Sequence, residues 1–202
     1  MSIISDRCIK RGIRLGDPSY KHHEHKHLYK SKVHRKSAIQ VYHGEGYIPH
    51  ILYVIRKFSP EMIVELGTSE GGMTLIFHEE FRNIPIHTFD VKEILPSTLA
   101  LFDRKLVHFH RESLYPRESS VLIDLLSINK DIKKFMYSDV GTAKIEGFRY
   151  VKYLSSGDLF GTHDWIFQVD PDEAEKYLGD FVPFERELMR KEWLWTRFWK
   201  KK

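Results

Sequence analysis

Residues 63–77, IVELGTSEGGMTLIF, read as a strand, a glycine-rich turn and a helix. Such a junction gathers backbone N–H groups and a helix N-terminus at the carboxyl end of a strand, where open α/β sheets hold ligands. Gly67 can adopt the dihedrals of a tight turn, and Gly71 and Gly72 allow close approach by a ligand or neighbouring backbone. A dinucleotide fingerprint would need a second glycine where this chain has Ser69, and the Gly-Lys-Ser/Thr of a phosphate-binding loop is missing. A ligand without phosphate meets the loop better. The amino-acid end of S-adenosylmethionine would lie against Gly67, Thr68, Ser69, Gly71 and Gly72, with Glu65 near enough to position its ammonium group. Asp90, 23 residues past Gly67 and ending the next strand, is placed to accept hydrogen bonds from both ribose hydroxyls. Glu112 and Ser113, after the third strand, fall by position alone beside the adenine ring.

A second set of reactive residues follows apolar strands further along. Asp139 ends the fourth, and His163 and Asp164 end the fifth. Neighbouring strand ends of a parallel sheet open onto one crevice, so these oxygen and nitrogen donors converge beside Gly67. Lys144 lies five residues after Asp139, at the start of the next helix. In a dry pocket, a lysine of lowered pKa can accept a substrate proton. His163 reads as a general base, a metal ligand or a structural cap of the strand end. Trp165 is either an apolar wall for a substrate or core. His108 and His110 share one strand face and read as surface residues rather than ligands. The run HHEHKH, residues 22–27, places imidazoles close enough for a transition metal, but its spacing is compressed and Lys26 repels a cation.

Alternation of elements must position these groups. Strands are expected at 62–66, 84–89, 106–109, 132–137 and 158–162, with helices at 71–81, 96–103, 117–126 and 143–154 between them. Helices of this length between strands imply βαβ units and a Rossmann-like three-layer α/β fold with a mostly parallel central sheet. From Lys36 to Phe58 the pattern is mostly helical, interrupted near His43-Gly44-Glu45-Gly46, with Ile48, Ile51, Leu52 and Ile55 at helical spacing. Pro183 to Lys191 reads as helix, and the aromatic WLWTRFW, residues 193–199, either continues that helix or, as its aromatics favour, forms a strand at the sheet edge. The domain reading is a basic extension over 1–44, a cofactor-binding domain over 45–168, and a C-terminal helix and aromatic segment over 169–202. The final hairpin usual for this architecture reads as compressed or incomplete.

VELGTSEGG, the strand-end Asp90 and SDVGTAKIEGFRYVKYLSSGDLFGTHDW together resemble class I S-adenosylmethionine-dependent methyltransferases. More narrowly, they are similar to the cephalosporin hydroxylase / rhamnosyl O-methyltransferase-like group. The resemblance covers about residues 45–165 and implies O-methylation of a small molecule or sugar hydroxyl. It implies Asp139, His163 and Asp164 as ligands of a divalent metal, while Asp139, Lys144 and His163 are by residue type sufficient as catalytic residues to remove the acceptor's proton. Such relatives carry an oxygen donor where this chain has His163. Mg²⁺ prefers oxygen and imidazole suits softer ions, so the metal is Mg, Mn or a softer ion, or His163 is a base without one.

Composition limits the alternatives. Hydrophobic residues are 42% of the 202 and charged residues 30%, a globular balance. The lone Cys8 excludes an intrachain disulfide. No apolar run suggests a membrane span, and the N-terminus lacks the apolar stretch of a signal peptide, so a cytoplasmic location is expected. Residues 1–40 carry +7 and the remainder −3. That basic segment, with Tyr20, Tyr29 and Tyr42 interleaved, would suit a nucleic-acid methyltransferase. It would equally suit an arm lying on the acidic body or on another copy in a homo-oligomer. A methyltransferase-like binding protein without activity is the third reading.

Overall fold

The structure is a computed structural model that describes residues 27–30, 38–41, 43, 48–128, 130–140, 144–165, 168–191 and 196–202. The expectations for Cys8, Tyr20, Tyr42 and Trp193, for residues 22–26 of the histidine run, and for the side chains of His27 and Tyr29 lie outside what is described.

Strands β3 (Met62–Leu66) and β6 (Lys134–Ser138) are buried at every position. Successive strand side chains point to opposite faces, so a strand buried throughout is covered on both sides. Around this pair lie β4 (Ile86–Asp90), β5 (Val107–Arg111), β7 (Leu159–Thr162), β8 (Phe181–Pro183) and β9 (Arg197–Lys201). They form one seven-stranded sheet in the order β5-β4-β3-β6-β7-β9-β8. Pairing is parallel from β5 to β7, and β9 runs antiparallel to both its neighbours. The mostly parallel Rossmann-like fold therefore forms, and the strand order reverses at β3, which sits between β4 and β6.

The register sets the site. Phe89 pairs with Leu66, Leu66 with Ser138, and Ser138 with Thr162. One residue further along each strand stand Asp90, Gly67, Asp139 and His163. Backbone bonds carry the alignment past the strand ends: Gly67 N–H donates to Phe89 O at 2.8 Å, Asp139 N–H to Leu66 O at 2.7 Å, and His163 N–H to Ser138 O at 3.1 Å.

Several elements differ from the sequence expectation. Residues 38–41 are not helical: β2 (Ala38–Val41) pairs antiparallel with β1 (His27–Lys30). Ile39 and Val41 are both buried, the two-residue period of a strand. The helical spacing belongs only to α1 (Ile48–Phe58), which buries Ile48, Ile51, Leu52, Val54, Ile55 and Phe58. Lys144–Tyr153 forms a 3₁₀ helix. Its apolar positions Ile145, Phe148 and Val151 recur every three residues, a spacing that Leu154 continues just past its end, so the three-residue turn keeps them on one face. Phe181–Pro183 is strand, and the following helix begins only at Arg186 (Arg186–Lys191). Pro183 sits on the edge strand, where its missing N–H costs no ladder bond. The aromatic segment yields β9, but inside the sheet between β7 and β8, so the final hairpin is present. Phe198 packs on Phe135 and Trp199 stacks on Phe160, burial that an edge strand would not give. Among the described residues no helix is long and apolar enough to cross a membrane.

Candidate functional site

The glycine turn leads from β3 into α2 (Gly72–Glu80). Gly67 has φ +96° and Gly71, the N-cap, φ +86°, the left-handed region that favours glycine. Gly71 N–H closes the turn on Thr68 O at 2.8 Å. The turn is held to the neighbouring strand as well. Thr68 Oγ1 lies 2.5 Å from Thr88 Oγ1, and Ser69, itself at φ +51°, donates its N–H to Asp90 Oδ2 at 2.7 Å. Asp90 Oδ1 accepts Lys92 N–H at 2.9 Å. Each carboxylate oxygen has two acceptor sites, so Asp90 retains capacity for a ligand's hydroxyls. Val91, the next residue, is 58% exposed. Glu112 N–H donates to Asp90 O at 2.9 Å, which brings the end of β5 to the same edge. Glu112 Oε2 accepts Ser119 Oγ at 2.5 Å, and Ser113 Oγ donates to Tyr115 O.

Glu65 is placed differently from expectation. It is fully buried, and its Oε2 accepts the hydroxyls of Thr74 on α2 and Thr88 on β4, the latter at 2.6 Å. It ties the glycine turn to the sheet from below. Burial pushes its carboxyl up to about 7, against the lowering effect of the two hydroxyls, and the nearby Asp90 charge adds to the rise. Between pH 4.5 and 7 the folded chain then keeps a proton that the unfolded chain releases, so stability falls as pH rises through that window. The drop attributable to Glu65 is on the order of 3 kcal/mol. Glu65→Gln keeps an acceptor oxygen for both threonines and should flatten this slope in urea denaturation at stepped pH. An unchanged slope would place the titration elsewhere.

Asp139, Lys144, His163 and Asp164 do meet. The Lys144 ammonium binds Asp139 Oδ1 and stands 2.9 Å from Asp164 Oδ2. His163 Nδ1 is 3.2 Å from Asp164 Oδ1 and 3.6 Å from Asp139 Oδ1. Burial pushes the pKa of Lys144 down, and the charge of Asp164 opposes that. Burial likewise lowers His163, opposed by its contact with Asp164. Burial alone would raise Asp164, but His163 and Lys144 outweigh it and hold the carboxyl well below the usual range.

One member was not foreseen. His43, 2% exposed, follows β2 and lies against His163, the rings tilted by 39° with centroids 4.2 Å apart. Its Nε2 lies 2.8 Å from Tyr137 Oη and 3.5 Å from Asp139 Oδ2. Its burial was hidden because the strand before it read as helix. Trp165 is core, 5.0 Å from Trp199 between ring centroids. His108 and His110 join His87 in a half-buried stack, with His87 Nδ1 3.0 Å from His110 Nε2.

No protein-family model matches the chain, and no curated protein matches it. Solved structures do. An apo structure of CmcI superposes with TM-score 0.59 at 15% identity, over 81% of this chain and 73% of that one. CmcI with Mg and SAM gives TM-score 0.51 at 16% identity, over 77% and 71%. The 1,6-didemethyltoxoflavin-N1-methyltransferase of Burkholderia thailandensis, with bound 1,6-didemethyltoxoflavin and S-adenosylhomocysteine, gives 0.50 at 12%, over 78% and 79%. The strand order, the glycine turn at its reversal and these superpositions agree: the chain has the fold of the class I S-adenosylmethionine-dependent methyltransferases.

Proposed function

We propose that this chain is an S-adenosylmethionine-dependent methyltransferase acting on a hydroxyl oxygen of a small molecule or sugar. The observation that carries the reading is the row Asp90–Gly67–Asp139–His163. It sets a phosphate-free glycine turn, a ribose-type carboxylate and a cluster of proton-handling groups along one sheet edge. Two of the similar structures hold SAM or S-adenosylhomocysteine by their own descriptions.

The residues fit that ligand. Gly67, Thr68, Ser69, Gly71 and Gly72 present backbone with little side-chain bulk to its amino-acid end. Asp90, anchored by two N–H groups, would accept the ribose hydroxyls, and Val91, Glu112 and Ser113 would border the adenine. When bound, S-adenosylmethionine supplies an electrophilic methyl group on a sulfonium. The chain must then hold an acceptor oxygen in line and take its proton. Lys144 Nζ, dry beside Asp139 and Asp164, would take it in the neutral amine form, which burial favours and the neighbouring carboxylates oppose. Trp165 and the buried strands beneath keep water from below the site. A divalent metal also fits, because His163 Nε2 is buried with no hydrogen-bond partner among the described residues. Asp139 and His163 would hold it, and it would polarise the acceptor oxygen.

Asp90→Ala tests the donor half. Losing a charged acceptor for two hydroxyls should weaken S-adenosylmethionine binding roughly 10- to 100-fold. Calorimetric titration reads this directly, with a denaturation curve to show that the fold survives. Unchanged affinity would remove Asp90 from the site and the ribose assignment with it.

A further inference from the structure

We infer that His43 is the third ligand of a transition-metal centre with Asp139 and His163, and that Asp164 orients His163 instead of binding the ion. The inference deepens the reading above and rests on it only for the use made of the metal.

His43, Asp139 and His163 each place one ligand atom within 4.8 Å of those of the other two. That spacing is what a single ion gathers with little movement. Both imidazoles are almost wholly buried, His43 at 2% and His163 at 6% exposure. The Asp139 carboxylate divides its work: Oδ1 holds Lys144, while Oδ2 lies 3.5 Å from His43 Nε2. One oxygen is thus turned towards His43, while His163 Nδ1 lies 3.6 Å from the other.

Asp164 supplies the second argument. Its Oδ1 is 3.2 Å from His163 Nδ1, and its Oδ2 is 2.9 Å from Lys144 Nζ. A carboxylate on one ring nitrogen keeps a proton there and leaves the other nitrogen with its lone pair bare. In His163 that other atom is Nε2, the buried atom without a hydrogen-bond partner among the described residues. An unpartnered buried acceptor is costly unless something binds it. Net charge agrees. Two carboxylates and one ammonium leave the cluster at −1 with neutral imidazoles, and a divalent cation offsets this.

The donor set determines the kind of ion. Two imidazole nitrogens and one carboxylate oxygen suit Fe²⁺, Mn²⁺, Co²⁺ or Zn²⁺, whereas Mg²⁺ prefers a shell of oxygens. Three protein ligands also leave coordination positions open for an acceptor oxygen. The N-terminal hairpin β1–β2 therefore does more than decorate the fold. Ile39 on β2 packs towards Gly71, its Cδ1 3.8 Å from where a Cβ there would stand, so the hairpin that delivers His43 also rests on the glycine turn.

The test uses the full chain, stripped with chelator and dialysed. Co²⁺, Zn²⁺ and Mg²⁺ are titrated separately by calorimetry, and the Co²⁺ absorption spectrum reports nitrogen ligation. The expected result is one Co²⁺ or Zn²⁺ per chain, bound more tightly than Mg²⁺. Asp164→Asn should weaken it roughly 10- to 100-fold, as loss of an outer-shell partner does, and His43→Ala should weaken it more. His43→Gln serves as a second variant of similar volume, and S-adenosylmethionine titration shows whether each variant retains the donor site. Unchanged Co²⁺ affinity and spectrum in a folded His43 variant would overturn the assignment, as would preference for Mg²⁺. His43-dependent Co²⁺ binding in a chain that binds no S-adenosylmethionine would uphold this inference and overturn the methyltransferase reading.

Discussion

Gly67→Ala is expected to destabilise the fold by roughly 3 kcal/mol or more, the sum of left-handed backbone strain and a steric clash. Gly67 has φ +96°, and a Cβ there would stand 2.7 Å from the carbonyl carbon of Asp139, nearer still to its oxygen, and 3.1 Å from Val140 N. Those atoms are backbone, and neither strand can easily give. Gly67 N–H is bonded to Phe89 O at 2.8 Å and Asp139 N–H to Leu66 O at 2.7 Å. Any relief must move Asp139 away from His163 and Lys144, so the substitution should harm the site as well as the fold. Gly157 is the control. It has φ +90° but nothing within 4 Å of the position its Cβ would take. Gly157→Ala should therefore show the backbone strain alone, about 1–2 kcal/mol. Urea denaturation of the two variants separates the effects, and equal losses would mean that the close approach of Gly67 to Asp139 does not exist.

The second large effect lies at the opposite end of the same strands. Lys134 begins β6 and is fully buried, its ammonium 3.1 Å from Asp158 Oδ2. Asp158 also accepts two backbone N–H groups, Lys134 at 2.9 Å and Ser155 at 2.7 Å. Asp158→Ala removes all three acceptor contacts and leaves a buried ammonium without its counter-charge, which should cost about 3–5 kcal/mol. Pairing Lys134→Met with Asp158→Asn removes both charges and should recover part of that loss. A loss from Asp158→Ala of less than about 1 kcal/mol, the scale of an exposed ion pair, would show that the pair does not clamp β6 to β7. The clamp matters for the site because Asp139 and His163 leave the far ends of these two strands.

The parts of this architecture legible in the sequence were those with a strong local signature. The run from Ile63 to Phe77 announces strand, turn and helix by its apolar residues and glycines, and Asp90, Asp139 and His163 each stand just past an apolar strand. Their lateral alignment follows once the strands are parallel. What could not be read depends on partners distant in the chain. Lys134 looks like an ordinary surface lysine until Asp158 is known to face it. Glu65 looks able to meet a ligand until Thr74 and Thr88 are seen to hold its carboxylate from below. His43 followed a segment whose mixed periodicity suggested a helix, and only the pairing of β2 with β1 turns Ile39 and Val41 inward. The 3₁₀ helix from Lys144 was hidden for a related reason, because spacings of three are shared by both kinds of helix.

The central claim is that the glycine turn and Asp90 form a site for S-adenosylmethionine. Equilibrium titration of the full chain with S-adenosylhomocysteine tests it most directly, because it needs neither the acceptor nor the metal. The account predicts one site per chain, a Kd of about 1 mM or tighter, and a melting temperature that rises with ligand concentration. No heat of binding and no thermal shift at ligand concentrations well above about 1 mM, in a chain shown to be folded, would contradict it.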